Sequence, residues 1–191
     1  MSPDPFVSSP LFLIRVKNMR IDTISPTVPV EIECDGYVPL VVRYDGYKGP
    51  TSMAPKYWRT GDFKHTLIEV AVNPSSGAIC KMVVTSLRPL QSEPIAINVP
   101  SNKTGMPCVS MSQWANDQER VDIEQDVTAS LVDRELTVVF GKVELTSLKR
   151  IVCDRMTFLI DHFDELRGIQ VGNLSEQEVA NLLYATGQTG T

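Results

Sequence analysis

The chain has 191 residues, of which 42% are apolar and 21% charged, and its formal net charge is −5. This is an ordinary globular composition that does not indicate disorder away from the ends, and a chain of this length can bury a core without a metal or a disulfide. No stretch approaches the roughly 20 apolar residues that cross a bilayer, so we expect no membrane association and a cytoplasmic location.

The charge is unevenly divided along the chain. Residues 1–105 carry 11 Lys and Arg against 9 Asp and Glu, whereas residues 106–191 carry 7 against 14. A nucleic-acid binder usually shows a basic footprint. The larger field is negative here, so we expect it to repel nucleic acid and to attract a basic partner.

The beginning of the chain predicts strands separated by turns. Residues 1–10 contain three prolines and three serines and predict a flexible N-terminus, and residues 11–17 predict a first strand. Residues 28–34 alternate apolar and polar side chains, and the turn Asp35-Gly36 follows them. Residues 38–44 complete the predicted hairpin.

The segment 45–62 predicts the longest irregular piece, because glycines and prolines interrupt it repeatedly. Tyr47, Tyr57 and Trp58 lie there among four basic side chains of residues 47–64. Such a mixture can stack bases and bind phosphates, but anchoring of the rings on the core is the favoured interpretation. The three aromatic residues are therefore a secondary candidate binding loop.

The middle of the chain predicts one further hairpin and then a less regular stretch. Residues 67–87 alternate on both sides of the loop Asn73–Gly77. Residues 95–99 predict a short strand, and residues 101–114 predict irregular structure. A second helix around residues 112–125 is an alternative that the pattern leaves open.

Two more hairpins follow. Residues 127–140 predict a hairpin that turns at Asp133-Arg134-Glu135, with its second arm extended towards Leu148. Residues 153–171 predict a last hairpin that turns at 161–165.

A single helix is predicted at the C-terminal end. Ser175 and Glu178 form the S-x-x-E pattern of a capping box, in which each side chain satisfies a backbone amide of the first turn. Val179, Leu182 and Leu183 follow at helical spacing, and Gly187 is a suitable stop. Residues 187–191 predict a flexible tail.

These elements define an α+β fold that is predominantly antiparallel β, namely a sandwich or a curved sheet of about eight to ten strands with a C-terminal helix. Residues 11–186 would form one β-rich domain, either undivided or with two sub-lobes that separate near residues 100–115.

No catalytic or cofactor motif is present. The segment Asp161-His162-x-Asp164 supplies fewer ligands than a metal site needs, so a solvated loop is the favoured interpretation, and we expect no metal, cofactor or catalytic residue. Cys34, Cys80, Cys108 and Cys153 form no C-x-x-C pair and predict buried free thiols.

The strongest candidate for a binding surface is acidic. An ordinary solvated face is one interpretation of this cluster, and a surface that binds a basic protein partner is the other. The candidate residues lie in two segments: Asp117, Glu119, Asp122, Glu124, Asp126, Asp133 and Glu135, and then Asp161, Asp164 and Glu165.

Two parts of the sequence resemble bacterial immunity proteins, including those of contact-dependent growth inhibition systems. They are Phe158–Asp161 with Leu166–Glu178, and Leu67–Pro74 with Ser76–Ile79. The resemblance is one of hairpins and a capped helix, and it assigns no functional residue. It implies a non-catalytic protein that blocks a cognate toxin, including a toxin nuclease with a basic cleft.

Two other functions stay open. A structural or assembly component of a phage or secretion apparatus would use exposed strand edges and could form homo-oligomers. An enzyme with an unrecognised site is the third interpretation.

Overall fold

The computed structural model describes residues 18–44, 53–97, 99, 102–114 and 118–188. Outside these residues lie the segment 1–10 that was predicted to be flexible, the predicted strand 11–17, Tyr47, Asp117 and the predicted tail beyond Gln188. The strands, in chain order, are β1 (Ile21–Ser25), β2 (Val30–Glu33), β3 (Leu40–Tyr44), β4 (Lys56–Gly61), β5 (Thr66–Val72), β6 (Ile79–Leu87), β7 (Leu90–Gln91), β8 (Asn102–Thr104), β9 (Met106–Val109), β10 (Arg120–Glu124), β11 (Val127–Val132), β12 (Glu135–Phe140), β13 (Lys149–Cys153), β14 (Met156–Ile160) and β15 (Leu166–Val171).

The strands form three sheets. A six-stranded sheet has the order β10-β4-β5-β6-β3-β2, and a seven-stranded sheet has the order β7-β11-β12-β15-β14-β13-β8. Strands β1 and β9 form a separate antiparallel pair. All four predicted hairpins are present as the antiparallel pairs β2–β3, β5–β6, β11–β12 and β14–β15.

The two larger sheets share one apolar core. Trp58 of β4 lies against Phe140 of β12 with ring centroids 5.7 Å apart, and Tyr44 of β3 lies 6.3 Å from Phe158 of β14. Trp58, Phe140 and Phe158 are completely buried. Burial of this apolar surface is the main favourable term that holds the sheets together.

The β-rich α+β class with a C-terminal helix is confirmed, but the predicted number of strands is wrong. Fifteen strands occur among the described residues, not eight to ten. Among the additional strands, β7 has two residues and β8 has three, and both join their sheet through parallel partners that are distant in sequence. Such pairing leaves little local signal because the partner lies elsewhere in the chain.

The predicted irregular segments 45–62 and 101–114 contain strands. Residues 56–61 form β4, and residues 102–104 and 106–109 form β8 and β9. In β4 the alternation of Trp58 inside and Arg59 outside is the period of a half-buried strand. The density of Gly and Pro earlier in the first segment hid this pattern.

The alternative helix around residues 112–125 is also wrong. A 3₁₀ turn, Met111–Gln113, occupies the start of that range, and β10 occupies its end. Arg120, Asp122 and Glu124 are exposed, while Val121 and Ile123 pack on the core. This period of two is that of a strand and does not fit a helix.

The prediction of a strand at residues 95–99 is also wrong. Ile95, Ile97 and Val99 lie outside regular structure and pack with Val143 and Leu145 on the outer face of the seven-stranded sheet. Their apolar side chains therefore cover Val139, Leu148 and Leu159. The apolar pattern of this segment results from that packing and not from strand pairing. The second arm of the β11–β12 hairpin also ends at Phe140, and a 3₁₀ turn, Leu145–Ser147, replaces its predicted extension.

The C-terminal helix α1 (Glu176–Ala185) begins with the predicted capping box. The hydroxyl of Ser175 accepts from the amide of Glu178 at 3.2 Å, and Glu178 Oε2 accepts from the amide of Ser175 at 2.6 Å. Leu182 is completely buried against the core. Gly187 has a φ of +76°, the left-handed conformation that ends helices.

Candidate functional site

Four of the predicted acidic residues lie together at the border of the six-stranded sheet. We name Glu119, Asp122, Glu124 and Asp126 the acidic edge. All four are exposed, and they lie on or beside β10. In the described part of the chain, β10 pairs with β4 alone, in parallel, from Arg120 opposite Tyr57 to Glu124 opposite Gly61.

The backbone of β10 uses one side for this pairing. The carbonyl of Glu119 accepts from the amide of Tyr57 at 2.8 Å, and the amide of Gln125 donates to the carbonyl of Gly61 at 3.0 Å. The Ile123 carbonyl also accepts from the Thr60 hydroxyl at 3.1 Å. Since backbone groups alternate along a strand, residues 120, 122 and 124 direct their N–H and C=O groups away from β4.

One carboxylate of the acidic edge is neutralised within the protein. Arg59 donates to both oxygens of Asp122, from Nε at 2.8 Å and from a terminal nitrogen at 2.7 Å, and Arg120 Nε lies 3.3 Å away. The hydrogen bonds from Arg59 lower the pKa of Asp122 below its ordinary value. A planar guanidinium that binds both carboxylate oxygens is the strong form of such a pair.

The other three carboxylates of the acidic edge have no such partner. Among the described residues, no side chain forms an ion pair or hydrogen bond with the carboxylates of Glu119, Glu124 or Asp126. These three charges are therefore available at the surface, where they contribute a negative field that solvent screens only in part over a few ångströms.

A buried polar network fixes the end of β10. Gln125 Nε2 donates to Asn18 Oδ1 at 2.6 Å and to the hydroxyl of Thr60 at 2.7 Å. Asn18 and Thr60 are completely buried. Because a buried polar group without partners is costly, this network holds the acidic edge in a defined position.

Two predicted site residues lie elsewhere. Asp133 and Glu135 are at the turn of the β11–β12 hairpin, whereas Asp126 precedes its first strand. The five residue steps from Val127 to Val132 separate the two groups by about 17 Å along the strand. Glu135 also accepts a hydrogen bond from Gln170 at 2.9 Å, so its carboxylate has a partner in the sheet.

The turn between β14 and β15 lies close to β10. A cleft of about 450 Å³ is lined by Val121 and Ile123 from β10, by Phe163 and Glu165 from the turn, and by Asn18 and Gln113. The fold therefore brings the second predicted acidic segment near the first. Phe163 is half exposed at the cleft.

Two carboxylates of this turn are buried and paired. Arg167 binds Asp161 at 2.8 Å and Glu165 at 3.0 Å, and both acidic residues are less than a tenth exposed. Burial acts to raise the pKa of Asp161, but the hydrogen bonds from Arg167 and from the Glu165 and Phe163 amides outweigh it and lower the pKa. Asp164 is exposed and lies 3.4 Å from Lys149 Nζ.

The three aromatic residues of the secondary candidate do not share one described loop, because Tyr57 and Trp58 belong to β4. Trp58 is completely buried, which is the core-anchoring role that the sequence favoured. Tyr57 faces outward and lines a groove of about 390 Å³ with Arg43, Glu69 and Lys81. Tyr47 lies outside the described residues. Sequence reasoning missed this groove, because its residues come from four strands and only the cross-strand register places them together.

The four cysteines are buried, and His65 Nδ1 lies 3.0 Å from Asp62 Oδ2. Cys34, Cys80, Cys108 and Cys153 are buried thiols outside any disulfide, as predicted, and burial raises the pKa of Cys34 to about 12. Within the described ranges, no group of three or more His, Cys, Asp or Glu side chains is placed to hold a metal ion.

Comparisons with known proteins place the chain in no family. No protein-family model matches it, and no curated protein matches it either. Among the residues that the structure describes, no helix has the length and apolar character needed to cross a membrane.

Proposed function

We propose that the chain is a non-catalytic binding protein that neutralises a basic toxin domain, as immunity proteins of contact-dependent growth inhibition systems do. One observation carries the proposal. Glu119, Glu124 and Asp126 are exposed at the acidic edge without an ion-pair partner among the described residues. An unpaired negative surface complements the basic cleft with which nucleases bind phosphates.

The proposed mechanism is occlusion. The acidic edge would lie in the basic cleft of the toxin, and the charges would raise the rate of association more than the final affinity. Asp122 would contribute less, because Arg59 and Arg120 already bind it. Asp161 and Glu165 would act indirectly, since their pairing with Arg167 holds the neighbouring turn in place.

The test is affinity capture from the native host at low and at high salt, followed by binding kinetics with the purified partner. The wild-type chain is expected to capture a basic protein at one-to-one stoichiometry. In the variant Glu119→Gln/Glu124→Gln/Asp126→Asn, the association rate should fall at least tenfold at low salt and differ little at high salt.

A matched control removes the same number of charges elsewhere. Glu31, Glu93 and Glu176 are exposed carboxylates away from the acidic edge, and Glu31→Gln/Glu93→Gln/Glu176→Gln should bind as the wild type does. Equal association rates for all three proteins would overturn the role of the acidic edge. A partner without basic character would overturn the proposed function.

One observation favours a second function, that of a structural or assembly component. The outer side of β10 has unpaired backbone groups in the described part of the chain, and such edges pair readily with other strands. Capture of assembly proteins in place of a basic toxin domain would favour this function.

A further inference from the structure

The free side of β10 carries an alternating pattern that is close to self-complementary. The strand reads Arg120-Val121-Asp122-Ile123-Glu124, with the three charged residues exposed on one face and the two apolar residues packed on the core. Reversed in direction, the strand again presents charge, apolar residue, acid, apolar residue and charge, and the terminal charges have opposite signs.

The backbone geometry fits an antiparallel partner in one register. Residues 120, 122 and 124 direct their backbone groups away from β4, and among the described residues these groups have no hydrogen-bond partner. In an antiparallel pair, residues that exchange both hydrogen bonds recur at every second position. A two-fold axis beside Asp122 therefore places Asp122 opposite its own copy and Arg120 opposite Glu124 of the other copy.

We infer that β10 pairs with β10 of a second copy of this chain in this register. The two six-stranded sheets then join at their edges into one continuous sheet. All outward N–H and C=O groups of residues 120, 122 and 124 gain partners, which removes the open edge.

The side chains agree with this register on both faces. On the outer face, Arg120 of each copy meets Glu124 of the other, and opposite charges in directly opposed positions stabilise a strand pair. On the inner face, Val121 of each copy lies opposite Ile123 of the other. Both side chains are only partly buried in one copy, so the pairing extends the apolar core.

The central pair of Asp122 residues would be unfavourable if it were isolated. Arg59 of the same copy already binds both oxygens of each Asp122 carboxylate. With Arg59 and Arg120 balancing Asp122 and Glu124 in each copy, the outer face of the interface carries no net charge. The cost of the central approach is therefore reduced.

The opposite edge of the same sheet shows the contrast. Strand β2 reads Val30-Glu31-Ile32-Glu33. In an antiparallel pair of two such strands, every charged side chain would be a glutamate, so the charges could only repel each other. The amide of Val30 also donates to Asp154 at 3.0 Å, which occupies one backbone group of that edge. Charges of one sign are a common protection of an edge strand, whereas the mixed signs of β10 allow self-pairing.

The experiment measures the mass of the purified full chain by sedimentation equilibrium over the micromolar range. The wild type is expected to reach the dimer mass with rising concentration. Glu124→Arg opposes two arginines at both ends of the pair, and Arg120→Glu opposes two glutamates. Each variant alone should weaken the dimer roughly tenfold or more.

An equimolar mixture of these two variants provides the decisive readout. Each end of the mixed pair then opposes an arginine to a glutamate, so the mixture should form a heterodimer of about wild-type affinity although neither variant dimerises well. A structural defect in either variant would not be repaired by mixing. Glu31→Arg, a charge reversal of the same kind on β2, should leave the dimer unchanged.

A monomeric wild type at all concentrations would overturn the inference. So would a dimer that Glu124→Arg and Arg120→Glu leave intact, or variants whose mixture does not associate. Because no toxin is present, these results are independent of the proposed function. Glu119 and Asp126 lie outside the charge pairs of this register and stay available to a basic partner in the dimer, whereas Glu124 is then paired with Arg120 of the other copy.

Discussion

Arg167 and Asp161 form an ion pair that is almost completely withdrawn from solvent, with Arg167 Nε 2.8 Å from Asp161 Oδ2 and side-chain exposures of 11% and 6%. The same guanidinium lies 3.0 Å from Glu165. The guanidinium of Arg167 therefore contacts two buried carboxylates at the β14–β15 turn, where burial increases the importance of its charge.

Removing this cation should destabilise the fold strongly. We expect Arg167→Met to lower the free energy of unfolding by about 3 kcal/mol, since it removes a guanidinium that contacts two buried carboxylates. Arg20→Met is the control, because Arg20 is 61% exposed and 3.7 Å from Asp22, and such surface pairs contribute about 1 kcal/mol or less. Urea denaturation at pH 7 measures both, and similar losses would contradict the prediction.

The same pair predicts the direction of a pH effect. The folded-state pKa of Asp161 lies below its ordinary value. Its contribution to stability is therefore complete above the unfolded pKa of about 3.9 and is lost as the pH falls through the folded pKa. Arg167→Met should lose less stability on acidification than the wild type, as shown by urea midpoints between neutral pH and pH 3. An equal acid-dependent loss would refute this.

The aromatic contact between the sheets gives a third prediction. Phe140 is completely buried against Trp58, so Phe140→Ala should lower the free energy of unfolding by about 3 to 5 kcal/mol through lost burial and a cavity. Tyr37 is 94% exposed, and Tyr37→Ala should change the free energy of unfolding by less than about 0.5 kcal/mol. Thermal and urea unfolding test the pair, and a small loss in Phe140→Ala would show that the core adapts.

Two glycines allow a matched backbone experiment. Gly77 has a φ of +71°, and a Cβ added there would lie 2.3 Å from the carbonyl oxygen of Val109. At Gly172 the nearest atom would be 3.9 Å away, on Glu135. Gly77→Ala should cost more than about 1 kcal/mol of unfolding free energy, whereas Gly172→Ala should be neutral or slightly stabilising. Equal effects at the two positions would contradict this.

The capping box gives a local prediction. Ser175→Ala removes the hydroxyl that accepts from the amide of Glu178 and should cost about 1 kcal/mol. Because the loss of a cap favours local opening of the helix, it should appear first as faster amide hydrogen exchange across residues 176–185. Gln177→Ala in the same exposed turn is the control and should leave exchange slow. Unchanged exchange in Ser175→Ala would remove the assigned role.

The hairpins and the helix could be predicted because their signals are local. In β5–β6 the two alternating arms lie next to their own loop, and in α1 the capping residues lie three positions apart. Strand β4 forms a short hairpin with β5, but it was missed because a segment rich in glycine and proline precedes it. Strand β10 was missed because it pairs in parallel with β4, more than 60 positions away. Parallel pairing leaves no turn between the partners that could mark either strand.

The sequence by itself determined the β-rich class, the four hairpins, the capped helix and the acidic character of the second half. Periodicity and turn chemistry act between neighbouring residues, so they can be read along the chain. Only the tertiary structure decided which carboxylates remain available. Asp122 lies opposite Arg59 and Asp161 beside Arg167, while Asp133 is separated from Asp126 by the length of a strand. Pairing, burial and separation depend on which strands become neighbours, and long-range packing sets that choice.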